Sequence, residues 1–565
     1  MARAWWEESI GYIIYPESFL DSNGDGFGDL RGIESKLDYL SSLGVNLLWI
    51  CPVFDSPMED GGYDVSDYLS INPRFGTLDD LRSLLREAHE RGMRILLDFP
   101  LNHTSSSHPW FQKALADPSS EERSFYYFRK GKWAEGKLLP PNNWEGFFDT
   151  SAWENVPGSD DFYLHLFSKS MPDVNWANPK LREKYAEIAE FYLSLGVDGF
   201  RLDAMSHLAK NLDFPDSSLP PDETGYVLDT SQFSSRPELF DYLSELKEKV
   251  FSHHDCLIVG EVGGCISPEE TLRFTSKKGG VIDMAFNFDT AWENGAFLSI
   301  GKKEEEIKTN VISLKDNFMR WYATCHSSSS MPLYWCNHDH PRALSQYGDI
   351  LFRKESAECL ISILLFLYGT PFIYMGDEIG MSNVNYSSLE DFSADVDSVN
   401  EAKNYRKQGY DDEAILRYLN RASRVSARSP FQWDDRPFAG FSMVEGRYKV
   451  NNNNVQGVNV AIEEKDPRSI LSFYKYAISL RKNAQINDQV LHGELHLLDR
   501  NHPDVFAFYH EGPERLFVIA NMRSYQCYFS FYYNIIDVVL HNYEGVLLKD
   551  HVFSLRPYEC IVLKA

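Results

Sequence analysis

The sequence predicts an α/β fold: a (β/α)8 TIM barrel with a small domain inserted after strand three and an antiparallel β-sandwich at the carboxyl end. Eight short apolar runs recur along the first two-thirds of the chain, and amphipathic helical patterns separate several of them. After about residue 483 these give way to closely spaced strand signals. Apolar strands alternating with helices form parallel sheets covered on both faces, and eight such units close into a barrel. A doubly wound open sheet would compete, but no GxGxxG turn follows the first run.

The runs are IGYIIYPESF (10–19), VNLLWICPVF (45–54), RILLDFPL (94–101), GFRLDA (199–204), CLIVGEV (256–262), VIDMAFNF (281–288), PLYWCNHD (332–339) and PFIYMGDE (371–378). Between them, TLDDLRSLLREAHERG opens on a Thr77 cap with acids in its first turn and stops at Gly92. PKLREKYAEIAEFYLSLG starts at Pro179 and ends at Gly196 in the same manner. The barrel is therefore assigned to 1–103 and 172–482, with a long excursion at 380–440 after strand eight. The Trp-, Phe-, Pro- and Asn-rich stretch 104–171 is the inserted domain. HPDVFAFYHEG, ERLFVIANM, YQCYFSFYY and YECIVLKA supply the sandwich within 483–565.

Composition narrows the function. The 565 residues carry 55 basic and 83 acidic side chains, a net charge of −28 with no dense Lys/Arg cluster, so a nucleic-acid partner is not expected. Aromatics at 14% suit stacking on sugars or bases, although buried packing is their commoner use. Eight scattered cysteines without a CxxC pair read as buried free thiols of a reducing cytoplasm. The start MARAWWEESIG lacks the charged end and apolar core of a secretory signal, and the run ISILLFLYG (361–369) is too short to span a bilayer. The expectation is a cytoplasmic protein without a membrane partner, monomeric or weakly dimeric.

Chemistry is expected where the strands end. Each is apolar until its last residues and then presents acids, amides, His or Arg: Asp98 and His103, Arg201 and Asp203, Glu261, then Asn337, His338 and Asp339. In a barrel these ends converge on one mouth. Alone, each acid reads as solvated or salt-bridged. Together, Asp203, Glu261 and Asp339 suit glycoside cleavage, in which one carboxylate attacks and one carboxylic acid protonates the leaving oxygen.

Near the start, DSNGDGFGDL (21–30) places oxygen ligands at Asp21, Asn23, Asp25 and Asp29, with glycines between them. That alternation, with the Phe27 carbonyl, suits a hard cation such as Ca2+, with Mg2+ as the alternative. The helix–loop–helix calcium motif needs a bidentate Glu at its twelfth position, here Gly32, so the loop belongs to another fold. An ordinary Asx-rich turn is the bland reading.

DFPLNH (98–103), GFRLDA (199–204), VGEV (259–262) and NHDHPR (337–342) resemble, in order and spacing, the four motifs of the α-amylase superfamily, glycoside hydrolase family 13. MPDVNWANP (171–179) resembles the QPDLN motif of its oligo-1,6-glucosidase and α-glucosidase branch, and ARSPFQWDD (427–435) is similar to the branch's ARTPMQWDD. The opening loop is similar to DSNGDGIGDL, which binds a structural calcium in that branch. The resemblance implies Asp203 as nucleophile, Glu261 as acid and then base, and Asp339 as the grip on the sugar 2- and 3-hydroxyls. It implies that His103 and His338 bond the same glucose, Arg201 orients Asp203, Tyr63 stacks on the ring, and Asp64 and Arg428 clasp its 4- and 6-hydroxyl end. Phe147, Phe286 and Phe288 become walls of the leaving-group side. The departures are Ala204 where α-1,6 enzymes often carry Val, Met171 for the Gln of QPDLN, and Val425 where an acid is usual.

The function so implied is a retaining, exo-acting α-glucosidase on short α-glucosides, needing no organic cofactor. Its alternatives are a transglucosylase or isomerase on sucrose, maltose or trehalose, a trehalose-6-phosphate hydrolase, and a non-catalytic scaffold relative.

Overall fold

The computed structural model describes residues 4–148, 151–221, 225–263, 266–288, 297–303, 306–451 and 457–565. Each of the eight apolar runs contains a strand of one parallel sheet: β1 Gly11–Ile14, β2 Leu47–Ile50, β3 Arg94–Pro100, β4 Gly199–Asp203, β5 Leu257–Val262, β6 Met284–Asn287, β7 Pro332–Leu333 and β8 Thr370–Tyr374. The sheet order is β6-β5-β4-β3-β2-β1-β8-β7, a wound barrel open only between β6 and β7. There Tyr334 donates its hydroxyl to the Asn287 carbonyl at 2.6 Å and bridges the edges. Gly199 (φ 148) opens β4 where the backbone presses on the Leu257 carbonyl of β5, leaving no room for a Cβ.

The helices begin and stop where the chain's own side chains cap them. Leu78–Glu90 starts at a Thr77–Asp80 capping box. Pro179–Leu195 has Pro at its first turn, the Asn178 side chain as cap, and Gly196 in the left-handed conformation at its end. Residues 361–366 of the apolar run ISILLFLYG belong to helix Arg353–Phe366, buried continuously from Ser356 to Phe366. Each of its Leu and Ile side chains contributes about 1.5–3 kcal/mol by leaving water. No described helix is long and apolar enough to cross a membrane.

The segment after β3 forms a three-stranded sheet in the order Phe128–Lys130, Asp161–Leu164, Trp153–Asn155. Its core of Tyr127, Trp144, Trp153, Phe162 and Leu164 also takes in Phe214 and Phe233 from beyond β4. Phe214 and Phe233 thus pack with this segment although they lie outside 104–171. Hydrophobic periodicity cannot reveal that residues beyond β4 complete its core.

The carboxyl-terminal strands pair in the order Leu495–Leu498, Val505–His510, Leu516–Asn521, Cys560–Lys564, Asp537–His541. Period-two alternation divides them. Val505, Ala507, Phe517 and Ile519 face the second sheet through Phe529, Phe531 and Phe553, while Phe506, Phe508, Val518 and Ala520 join the barrel's core. The helices do not end at 483: Asn483 caps one further helix, Ala484–His492, before the first strand at Leu495.

Candidate active site

Parallel register sets the site's level. On the barrel wall Arg201 of β4 lies between Asp98 of β3 and Val259 of β5, and Asp203 lies beside Pro100. These side chains leave the carboxyl ends of three neighbouring strands and meet. Arg201, 1% exposed, donates from Nη1 to Asp98 Oδ1 at 2.7 Å and to Asp203 Oδ1 at 2.6 Å, and its Nη2 pairs with Glu261 Oε2. One guanidinium thus links both carboxylates expected to do the chemistry.

Asp339 arrives from the turn after β7, which Asn337 Oδ1 fixes by accepting from the Asp339 N–H at 2.8 Å. It faces Arg424 Nη1 at 3.1 Å, Arg428 Nη2 at 3.2 Å and His338 Nε2 at 3.0 Å. Burial opposes its ionisation, yet His338 and the two guanidiniums hold its carboxyl well below the usual range. Burial pushes Asp203 the other way, up to about 7, against the pull of Arg201 and with Asp98 and Asp339 adding repulsion. Two carboxylates of one pocket are driven apart in acidity.

The floor is aromatic and hydrogen-bonded. Tyr63 lies stacked on His338, centroids 5.3 Å apart, and its hydroxyl reaches Asp98 Oδ2 at 2.8 Å and His338 Nε2 at 2.5 Å. Trp49 Nε1 donates to the same Asp98 oxygen at 3.1 Å. Burial keeps both site histidines neutral, His103 lowered to about 4 and His338 also lowered. His103 Nε2 is buried without a hydrogen-bond partner, an atom free to bond a ligand hydroxyl. One side wall runs from His103 over Phe167 (5.2 Å) and Phe147 to His207 (4.7 Å from Phe147).

Two expected positions are corrected. Asp64 is 0% exposed, and its oxygens are taken by Ser56 Oγ (2.9 Å), the Asp60 N–H (3.2 Å) and the Glu59 N–H (3.1 Å). It shapes the 56–60 turn and does not clasp a sugar. On this turn it is Asp60, not Asp64, that meets an arginine, its Oδ1 accepting from Arg424 Nη2 at 2.9 Å. Phe286 turns into the barrel interior, 3% exposed, against Trp49, Phe372 and Tyr334, and forms no outer wall. Phe288, half-buried two residues on, reaches the mouth beside His340. Asp60, Arg424 and the linking Asp98 thus join the candidate site by geometry, without a role in the sequence reading. The signal for Arg424 was its place four residues before Arg428, in RVSAR.

The opening loop packs against 441–446 and away from this pocket: Asp21 accepts from Ser442 Oγ at 2.6 Å, and the Asp21 N–H donates to the Phe441 carbonyl. Its side-chain oxygens cap loop amides. Asp21 takes Asn23, Gly24 and Gly26, Asn23 takes Asp25, and Asp25 takes Phe27. Asp29 Oδ1 caps the helix that follows through Gly32. The donors are all hard oxygens, the set Ca2+ prefers, with Asn23 and Asp25 exposed.

Three carboxylates, a shared guanidinium and neutral histidines gathered at the mouth of a barrel suit glycoside cleavage. Residues 13–489 match the alpha amylase catalytic domain, and the chain belongs to that family. It is 40% identical to an oligo-1,6-glucosidase of Bacillus cereus over 100% of both chains. It is 34% identical to an alpha-glucosidase of Schizosaccharomyces pombe over 99% and 98%. Among solved structures, it superposes with a TM-score of 0.90 on trehalose-6-phosphate hydrolase of Bacillus licheniformis and 0.91 on isomaltulose synthase of Klebsiella sp. LX3, at 33% and 34% identity over 100% of each chain.

Proposed function

We propose that the protein is a retaining α-glucosidase that removes the non-reducing terminal glucose of short isomalto- or malto-oligosaccharides, or of sucrose. The observation that carries this reading is the single Arg201 guanidinium joining Asp203 to Glu261. Carboxyls sharing one guanidinium favour the spacing of about 5 Å used by retaining enzymes over the roughly 6.5–9.5 Å that an intervening water requires. Asp203 attacks the anomeric carbon and forms a glucosyl ester while Glu261 protonates the leaving oxygen. Glu261 then takes a proton from water, which cleaves the ester with net retention. Neutral His103 bonds a sugar hydroxyl without placing positive charge beside an oxocarbenium-like centre, and His338, its nitrogens taken by Tyr63, Asp339 and Cys51, supports the floor beneath. Asp60, Arg424, Arg428 and Asp339 knit together across one end of the pocket, which supports exo cleavage.

The isomaltulose synthase and trehalose-6-phosphate hydrolase neighbours keep a second reading open, since transfer to a sugar acceptor uses the same glucosyl ester. Incubation with maltose, isomaltose, sucrose, trehalose and trehalose 6-phosphate, followed by proton NMR, tests both. The proposal expects α-glucose as the first product from at least one of these. β-Glucose first, or normal turnover of an aryl α-glucoside by Asp203→Asn, would overturn it. An isomeric disaccharide as main product favours the transferase.

We also propose that Asp21, Asn23, Asp25, the Phe27 carbonyl and Asp29 hold a structural Ca2+. Bound there, the ion would fix the first strand's outgoing loop and take no part in catalysis.

A further inference from the structure

Beneath the pocket floor, Cys51 Sγ lies 3.4 Å from His338 Nδ1, both side chains buried. Cys51, Asp98 and His338 each offer one ligand atom within 4.8 Å of the other two, the only such group of His, Cys and acid residues among the described residues. The surrounding bonds dictate which nitrogen is available. Tyr63 gives its proton to Asp98, so its oxygen accepts from His338 Nε2, which also faces Asp339. That places the imidazole proton on Nε2 and leaves the Nδ1 lone pair aimed at the Cys51 sulfur.

We propose that Cys51, His338 and Asp98 form an inhibitory site for a thiophilic divalent cation of the Zn2+ and Cd2+ class. A tetrahedral zinc with Zn–S about 2.3 Å and Zn–N about 2.0 Å holds its sulfur and nitrogen roughly 3.5 Å apart. The 3.4 Å already present between Sγ and Nδ1 matches that spacing, so sulfur and nitrogen need little movement, while the Asp98 carboxylate, within 4.8 Å of both residues' ligand atoms, must turn from its own partners to reach the ion. On binding, the thiol releases one proton to solvent, and sulfur, nitrogen and one carboxylate oxygen coordinate the metal. The soft sulfur selects Zn2+ or Cd2+ over Ca2+ and Mg2+. Inhibition follows from what Asp98 and His338 otherwise do. Asp98 anchors Arg201, Tyr63 and Trp49, and His338 contacts Tyr63 and Asp339. A metal that draws this carboxylate away loosens the guanidinium holding Asp203 and Glu261.

The test is titration of the whole protein with CdCl2 in Ca2+-containing buffer, reading near-ultraviolet cadmium–thiolate absorbance and aryl α-glucosidase activity on the same samples. Wild type is expected to show one equivalent of thiolate absorbance with parallel inactivation, both reversed by excess chelator. Cys51→Ser is expected to lose the absorbance and to need at least about tenfold more Cd2+ for half-inhibition of its own activity. Absorbance or sensitivity unchanged in Cys51→Ser would overturn the proposal, as would full activity in the presence of one bound equivalent. X-ray absorption on zinc-loaded wild type needs no variant: one sulfur in a shell of nitrogen and oxygen supports the site, and a shell without sulfur refutes it. These readouts report metal at the floor whichever glucoside the enzyme cleaves.

Discussion

Asp60 and Arg424 are separated by 364 residues of chain and joined at 2.9 Å in the fold. Arg424 also reaches Asp339 at 3.1 Å and Asp395 of the excursion after β8 at 2.8 Å. Arg428 joins the same group through Asp339. Three acids from three separate segments therefore surround two arginines at one end of the pocket. Charge-assisted bonds of this kind fix position as well as energy, and a sugar hydroxyl entering between them finds donors and acceptors already set.

Replacing Asp60 separates the clasp from the scaffold. Asp60→Asn is expected to lower kcat/KM for a short α-glucoside by about 10- to 150-fold, the worth of one charge-assisted hydrogen bond, with thermal stability near wild type. Asp64→Asn should do the reverse, since that buried carboxylate accepts from two N–H groups and a hydroxyl. Turning an NH2 toward one of them costs about 1–3 kcal/mol, seen as a lowered Tm with kcat/KM largely kept. A kinetic collapse confined to Asp64→Asn would reverse the two roles.

The pH profile tests Asp203 as the proposed nucleophile. Burial pushes Asp203 up to about 7, and attack requires the ionised form. kcat/KM for an aryl α-glucoside should therefore fall as pH drops below about 7, not near the ordinary carboxylate value of about 4. Asp98 is among the charges that raise Asp203, so Asp98→Asn should move this acid limb to lower pH while reducing the maximum. A limb that stays in place would mean that another group controls it.

Much of this was legible in the chain, and the limits have a physical cause. The eight strands could be read because apolar runs ending in polar residues reflect burial in a barrel wall, a local property. Asp203 ends β4 and Glu261 stands one residue before the end of β5, so the same local signal places them at the mouth, whereas Asp339 lies in a turn six residues past β7. Asp64 and Asp60 flank the same GGY turn, and nothing local tells which one faces inward. Only the turn's hydrogen bonds decide. Phe286 and Phe288 are two residues apart and would share one face of a continuous strand, but the strand ends at Asn287, and nothing local marks that end as the point where Phe288 leaves the interior that Phe286 fills. The Phe214 and Phe233 contribution to the inserted domain depends on contacts across the fold that no window of sequence contains.

The opening loop can be tested without touching catalysis. If Ca2+ sits among Asp21, Asn23, Asp25, the Phe27 carbonyl and Asp29, removing it with a chelator should lower Tm, and added CaCl2 should restore it by mass action. Asp25→Asn should weaken the response, because the Asn keeps the amide cap on Phe27 but loses a charge. A Tm indifferent to chelator and calcium in wild type would reduce the loop to the chain of capped turns.

Glu358 offers a stability prediction with a defined sign. It sits 2% exposed in helix Arg353–Phe366, with Oε2 unpartnered and Lys354 Nζ no nearer than 3.9 Å. Burial pushes its carboxyl up to about 9, whereas the unfolded chain ionises it near the ordinary value of about 4.3. Between those values the native state holds a proton that the unfolded state has released, so rising pH favours unfolding by up to about 1.4 kcal/mol per unit. Above about 9 both states are ionised and the slope from this group ends. Glu358→Gln keeps the shape without the titration. Its stability should match wild type below about pH 4, exceed it increasingly toward pH 9, and hold a constant lead beyond. Urea unfolding of both proteins across that range checks this, and parallel curves would mean that Glu358 is ionised in the fold.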